Sequence, residues 1–130
     1  MDTLPPSPPA IVTIIDDSGG GFYEYMVKMH KYRMNGTKVA LINCRSACTM
    51  ALSLPNVCVY PRSVLKFHAA YYEDTKEIAE RETKMLLQMY PEKVRQKLGS
   101  LDREFKTLTG KQLIQLGISS CSLVAKADRS

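Results

Sequence analysis

Residues 11–42, IVTIIDDSGGGFYEYMVKMHKYRMNGTKVALI, decide the fold of this chain. The β-branched run at 11–15 predicts a buried strand, and a turn of acids and glycines follows it at 16–21. Apolar residues recur at helical spacing over 22–34, and the run at 38–42 predicts a second strand. A strand, a helix and a second strand in this order predict the parallel sheet and right-handed crossover of an α/β protein.

Strands and helices continue to alternate along the rest of the chain. Further strands are predicted at 57–60, 64–68 and 118–125, and helices at 47–54, 75–90, 91–98 and 111–116. In parallel sheets, catalytic and binding groups lie in the loops that follow the carboxyl ends of the strands. We therefore expect functional residues in the loops at 16–21, 43–46 and 68–72.

The composition is typical of one globular domain. The chain has 130 residues, of which 45% are hydrophobic and 24% charged, so a separate cofactor domain does not fit. We expect a Pro-rich N-terminal arm at 1–10, a single domain at 11–125 and a C-terminal tail at 126–130. The net charge of +5 is interspersed with acids, which argues against a nucleic-acid partner.

Two further expectations concern membranes and location. The sequence has no apolar run of about 18 residues, so we expect no membrane span. The opening residues lack the basic and apolar regions of a signal peptide. We therefore expect a cytoplasmic protein, or a periplasmic one if a presequence has been removed.

The four cysteines are Cys44, Cys48, Cys58 and Cys121. A zinc site would need paired CxxC motifs or Cys/His clusters, and their spacing provides neither. The chain is also too large and apolar to need a disulfide framework. We expect reduced, mostly buried thiols, and the residues leave open which of them pair in an oxidising compartment. We expect neither a metal nor a cofactor.

Three features are candidates for chemistry. The glycine run at 19–21 follows a strand, so its N–H groups are suited to hold an oxyanion, although a bare turn uses the same residues. Ser46 stands between a strand and a helix, where a nucleophile is exposed and the Ala47 N–H is free, although an N-cap has the same position. His68 ends a strand 22 residues later, where it is either a general base or a structural histidine.

Together these motifs resemble those of the ClpP/crotonase superfamily, above all the proteolytic subunit of the Clp protease. The residue pattern around the serine, CxSACT, is most similar to that of one branch of ClpP-like proteins. Four segments carry the resemblance, which runs from residue 11 to 118: they are IDDSGG at 15–20, CRSACT at 44–49, LKFH at 65–68 and LTGKQLIQLG at 108–117. It implies a parallel sheet of repeated β-β-α units with flanking helices, shortened at its N-terminal end.

The resemblance also implies a mechanism, that of a serine endopeptidase. Ser46 is the implied acyl nucleophile and His68 its base, and the N–H groups of Gly20 and Ala47 are the implied oxyanion donors. No metal or cofactor takes part.

The acid of the implied triad has no counterpart at the matching position of this sequence. The position that carries an Asp in the family falls on Phe105, which has no carboxylate. Asp102 and Glu104 stand nearby, and either is a candidate to orient His68. The missing acid also favours a second hypothesis, a catalytically inactive relative that serves as an assembly or binding module. A third hypothesis is a crotonase-type acyl-CoA enzyme, which uses two oxyanion N–H groups without a Ser–His pair.

The implied partners are a peptide or unfolded protein substrate and further copies of the chain. The predicted helical region at 75–98 matches the handle between stacked rings in ClpP, and its apolar residues form either a subunit contact or a contact with their own sheet: Ile78, Met85, Leu86 and Met89. The short segment before residue 11 argues against docking to an AAA+ ATPase, because ClpP has a further strand and helix there.

Overall fold

The computed structural model describes residues 10–121. The predicted arm at 1–10, apart from Ala10, the end of the predicted last strand and the tail at 126–130 lie outside these residues. The strands are β1 Ile11–Asp17, β2 Lys38–Arg45, β3 Val57–Phe67, β4 Lys106–Thr109 and β5 Ser119–Ser120. The helices are α1 Phe22–Asn35, α2 Glu80–Met89, α3 Glu92–Leu98 and α4 Gly110–Gln115, with a 3₁₀ helix at Ser46–Ser53.

The strands form one five-stranded sheet in the order β1-β2-β3-β4, with β5 also paired to β3. The expected α/β class is confirmed. Strands β1, β2, β3 and β5 are parallel, but β4 runs antiparallel to β3, so the sheet is mixed. Asp17 pairs with Cys44 and Cys44 with Leu65, so the carboxyl ends of β1, β2 and β3 reach the same edge.

Strand β3 is one continuous strand, where the sequence predicted two strands separated by Pro61. Leu41 pairs with Val59 and Asn43 with Val64, so between these pairs β2 has one residue and β3 has four. The excess is a bulge, and Pro61 fits there because a bulge does not need every ladder N–H. The Ser63 hydroxyl accepts the Tyr60 N–H at 2.9 Å and donates to the Leu41 carbonyl at 2.5 Å. One side chain thus replaces the missing ladder bonds.

The helical region predicted at 75–98 is shorter and divided. Helix α2 begins only at Glu80, because the preceding chain turns back in an antiparallel bridge between Tyr71 and Ile78. Pro91 separates α2 from α3, since proline disfavours a helical residue before it. The region is therefore not one continuous handle. Leu86 of the predicted apolar stripe is buried in the chain's own core, whereas Ile78 precedes the helix and is exposed.

Two helix boundaries agree with the sequence. Helix α1 ends at Gly36, whose φ of 66° is the left-handed conformation that glycine adopts readily. Thr109 caps α4 with a reciprocal capping box to Gln112. None of the helices within 10–121 is long and apolar enough to cross a membrane.

The core is built around the 3₁₀ helix. It contacts β2, β3, α1 and α2, and all of its residues from Ala47 to Leu52 are buried. Large side chains from the strands complete this core, among them Leu41, Val59 and Phe67. Ser46, the first residue of this helix, is therefore attached to the most firmly packed element of the domain.

The four cysteines form two disulfides, so the expectation of reduced thiols was wrong. Cys44 pairs with Cys48 at a Cα–Cα distance of 5.5 Å, and Cys58 pairs with Cys121 at 5.0 Å. Both distances are normal for disulfides. The second pair forms because Cys58 is the β3 residue opposite β5, and Cys121 directly follows β5.

Candidate active site

Ser46 alone makes the turn from β2 into the 3₁₀ helix. The turn predicted at 43–46 is shorter than expected, because β2 continues to Arg45 in extended conformation. Ser46 has a φ of 60°, which costs a residue other than glycine about 1–2 kcal/mol. Its carbonyl accepts the Thr49 hydroxyl at 2.7 Å, and Thr49 in turn bonds the Tyr90 hydroxyl at 2.6 Å. A strained residue between strand and helix is the position that exposes a nucleophile.

The glycine loop packs directly on this turn. Gly19 has a φ of 91°, and a Cβ added there would lie 2.7 Å from the Ser46 Cβ and 2.9 Å from the Arg45 carbonyl oxygen. Only glycine fits so close an approach. The Gly19 N–H donates to Asp17 Oδ1 at 2.8 Å, and the other Asp17 oxygen accepts the Tyr25 hydroxyl. Burial, and then this bond to Asp17, raise the pKa of Tyr25, so the phenol remains a donor.

His68 directly follows β3 and is buried. Its Nδ1 lies 2.6 Å from the Ala69 carbonyl oxygen. Because a carbonyl only accepts, Nδ1 carries the proton in this arrangement, and the Nε2 lone pair of the neutral ring is free to take one. The Phe105 ring meets the imidazole edge-on at 4.9 Å between centroids, and the Tyr71 ring lies 5.6 Å away. Packing and one hydrogen bond thus fix both the ring and its tautomer.

One cavity of about 170 Å³ brings the predicted residues together. Ser46, His68, Gly20 and Ala47 all line it. Within the described chain, the Gly20 N–H donates to no protein acceptor. The Ala47 N–H lies in the first helical turn, where a backbone donor has no partner inside the helix. The cavity therefore combines the predicted nucleophile, the predicted base and two available donors.

The remaining walls of the cavity are mostly apolar. Phe22 comes from the start of α1, Leu86 from α2, and Tyr71 and Glu73 from the loop after His68. That loop is tied to α2, because its Ala70 accepts the Ala79 N–H at 2.8 Å and donates to Thr83 Oγ1 at 3.1 Å. An apolar pocket with few polar groups is suited to hold a side chain of a peptide.

The two candidate acids lie elsewhere. Asp102 and Glu104 are exposed, and neither lines the cavity. Asp102 Oδ1 accepts the Glu104 N–H at 2.8 Å, and its backbone carbonyl accepts the Ala69 N–H at 2.6 Å. Among residues 10–121, neither carboxylate bonds to His68. Phe105, which aligns with the missing acid, instead contributes the ring packed on the imidazole.

Sequence reasoning missed two parts of the site. The Ala69 carbonyl holds Nδ1, and no sequence signal distinguishes it, because every residue has a carbonyl. Asp17 holds the glycine loop, and here a signal exists. An Asp two residues before a glycine is typical of a turn in which the carboxylate accepts the backbone N–H.

A second cavity, of about 230 Å³, is lined mostly by strand residues and by the Cys58–Cys121 disulfide, with Pro55 and Asn56 beside them. It has neither a histidine nor a carboxylate in its lining, so it offers no general base of that kind. Within residues 10–121, no three His, Cys, Asp or Glu side chains are grouped to hold a metal ion.

Comparison of the chain with known protein families finds no match, and comparison with curated proteins finds none either. Membership of the ClpP/crotonase superfamily therefore stays a prediction from the motifs.

Proposed function

We propose that the chain is a ClpP-like serine peptidase of the ClpP/crotonase superfamily, which cleaves peptides through an acyl-enzyme. One observation carries the proposal: the strained Ser46 and His68 line the same cavity, beside the unused N–H groups of Gly20 and Ala47. These groups come from three separate loops. The topology brings the ends of β1, β2 and β3 together, but it does not require a serine, a histidine and two available N–H groups at those ends.

In the proposed reaction, the Ser46 hydroxyl attacks the scissile carbonyl while His68 Nε2 takes its proton. The negative charge that develops on the carbonyl oxygen is held by the N–H groups of Gly20 and Ala47. The intermediate then breaks its C–N bond, and His68 returns the proton to the leaving amine. Water, activated by the same histidine, hydrolyses the ester and regenerates the Ser46 hydroxyl.

The site works as a dyad in which the Ala69 carbonyl replaces the triad acid. Loss of the acid in a triad costs about 10⁴-fold in rate because the imidazole adopts the wrong tautomer. Here the Ala69 oxygen fixes the correct tautomer. A neutral carbonyl stabilises the imidazolium less than a carboxylate does, so the proposed enzyme is slower than a full triad but faster than one without any partner for Nδ1.

The proposed substrate is a peptide or an unfolded protein, and the proposed assembly is a homo-oligomer. We also propose an oxidising compartment such as the periplasm, in preference to the cytoplasm. Two disulfides support this location, because structural disulfides are rare where thiols are kept reduced.

A fluorophosphonate probe tests the proposal, because it labels only an activated serine. We expect labelling of the wild type on Ser46, and no labelling of Ser46→Ala. Ser53→Ala is the matched control, since Ser53 ends the same 3₁₀ helix outside the cavity. It should label as the wild type does. If the folded wild type stays unlabelled under conditions in which a control peptidase is labelled, the proposal that the chain is a serine peptidase is wrong.

A second candidate function is a non-catalytic assembly or binding module with the same fold. The observation in its favour is the exposed position of Asp102 and Glu104, away from a histidine packed against Phe105. The same cavity would then hold a peptide without cleaving it. Peptide binding by calorimetry without fluorophosphonate labelling would favour this function.

A further inference from the structure

We propose that the Cys44–Cys48 disulfide is a positioning element for the nucleophile, and that full hydrolytic activity requires it to be oxidised. This inference rests on the proposed function. The disulfide lies with Ser46 at its centre, two residues from either sulfur-bearing residue. It therefore encloses the nucleophile of the proposed mechanism.

Both ends of the disulfide are firmly anchored. Cys44 lies in β2, where it pairs with Asp17 on one side and Leu65 on the other. Cys48 lies in the buried 3₁₀ helix, and both cysteines have an exposure of 0%. Their Cα atoms are 5.5 Å apart, whereas four extended residues span roughly 13 Å. The chain between them has to turn, and Ser46 is where it does so.

The other contacts of Ser46 hold only part of this turn. Thr49 bonds the Ser46 carbonyl, and Gly19 packs against its Cβ. Neither of them joins β2 to the 3₁₀ helix across the turn. A left-handed φ at a residue other than glycine is disfavoured on the order of tenfold against the common conformers. Without the disulfide, we expect Ser46 to relax toward those conformers and to lose its position in the cavity that His68, Gly20 and Ala47 also line.

Opening the disulfide needs a reductant, and a dithiol supplies it. One thiolate of the dithiol attacks a sulfur of the Cys44–Cys48 pair and forms a mixed disulfide, which the second thiolate then resolves. Two electrons and two protons pass to Cys44 and Cys48, which become thiols, and the dithiol becomes a cyclic disulfide. Because both cysteines are buried, we expect this reduction to be slow.

The chain contains its own matched control in the second disulfide. We compare Cys44→Ala/Cys48→Ala with Cys58→Ala/Cys121→Ala for hydrolysis of a fluorogenic peptide and for fluorophosphonate labelling. The first variant should lose about tenfold or more in kcat with an unchanged KM, since Phe22 and Leu86 still line the cavity. The second variant should keep the wild-type kcat for its folded fraction. Equal kcat values in both variants overturn the inference and leave the proposed function standing.

Reduction provides a second measurement if the alanine variant does not fold. In the Cys58→Ala/Cys121→Ala protein, dithiothreitol opens only the Cys44–Cys48 disulfide. We expect labelling to fall about tenfold and to recover on reoxidation, with an unchanged circular dichroism spectrum. Loss of the fold on reduction overturns the inference, because the disulfide would then hold the domain rather than the nucleophile. A wild type that does not label at all overturns both the proposed function and this inference.

Discussion

The two disulfides join very different lengths of chain. Cys44–Cys48 has a sequence separation of 4, whereas Cys58–Cys121 has a separation of 63. In the chain-entropy description, the first stabilises the fold by about 2 kcal/mol and the second by about 4 kcal/mol. Their distances from the candidate site give the opposite ranking. The short one encloses Ser46, and the long one lines a cavity without a histidine or a carboxylate. We therefore propose that stability depends mainly on the long disulfide and the chemistry on the region of the short one, and four variants test this division.

The largest expected effect is that of Ser46→Ala, which removes the nucleophile and leaves both disulfides in place. We expect peptide hydrolysis to fall by at least about 10⁴-fold, because no other group takes over the acyl transfer. The midpoint of thermal unfolding should stay close to that of the wild type, since Ala at this φ is strained as Ser is. Hydrolysis of a fluorogenic peptide and a thermal melt measure both. Unchanged turnover would show that Ser46 is not the nucleophile.

The second effect is on stability. Cys58→Ala/Cys121→Ala should lower the free energy of unfolding by about 4 kcal/mol, roughly a 10³-fold change in the folding equilibrium. Denaturant titration measures this value. The matched variant Cys44→Ala/Cys48→Ala should lose about half as much. If the short disulfide contributes as much stability as the long one, the division between the two regions is wrong.

The third effect concerns the loop that packs on Ser46. Gly19→Ala places a Cβ 2.7 Å from the Ser46 Cβ, so one of the two loops has to move. A displacement of about 1 Å at a catalytic group costs about 10²-fold in kcat. Gly99→Ala is the matched control, because Gly99 also has a positive φ but no heavy atom within 4 Å of an added Cβ. It should lose only stability. A Gly19→Ala variant with the kcat of Gly99→Ala would show that the loop contact does not position the proposed site.

The smallest effect is that of Tyr90→Phe. Thr49 already donates its only hydroxyl proton to the Ser46 carbonyl, so the Tyr90 hydroxyl donates to Thr49. Burial raises the pKa of Tyr90, so this donor persists at high pH. We expect a loss of about 1 kcal/mol in unfolding free energy and a severalfold decrease in kcat. Tyr72→Phe, at an exposed position, is the control and should change neither.

The ends of the predicted strands were enough to predict where the candidate residues lie relative to one another. Parallel strands place their carboxyl ends together, so Ser46 after β2 and His68 after β3 were expected to meet. The glycine loop after β1 followed from the same argument. The Ala69 carbonyl, which bonds His68 Nδ1, could not be predicted, because a backbone carbonyl has no signature in a sequence. Which acid, if any, orients the ring depends on tertiary placement alone.

The errors in the predicted fold also arise from tertiary contacts that have no signature in the local sequence. The disulfide between Cys58 and Cys121 exists because the short strand β5 lies beside β3, and nothing in the two residues of β5 predicts this pairing. The predicted helix at 75–90 began too early, because residues 71–78 turn back on themselves and Lys76 adopts a φ of 63°. Strand β3 was divided at Pro61 because the hydrogen bonds that compensate for the proline depend on tertiary structure: Ser63 accepts the Tyr60 N–H and donates to the Leu41 carbonyl of β2.

The bulge in β3 also sets the parity of the strand. Leu65 and Phe67 are fully buried, and His68 follows them. Side chains alternate between the two faces of a strand, so deleting one residue between Val59 and Val64 exchanges the faces of everything after it. Lys66 would then face the core, and the imidazole would leave the cavity. An insertion or deletion of two residues keeps the faces as they are. The fold therefore constrains whether this irregular segment has an odd or an even number of residues, and not only how far it reaches.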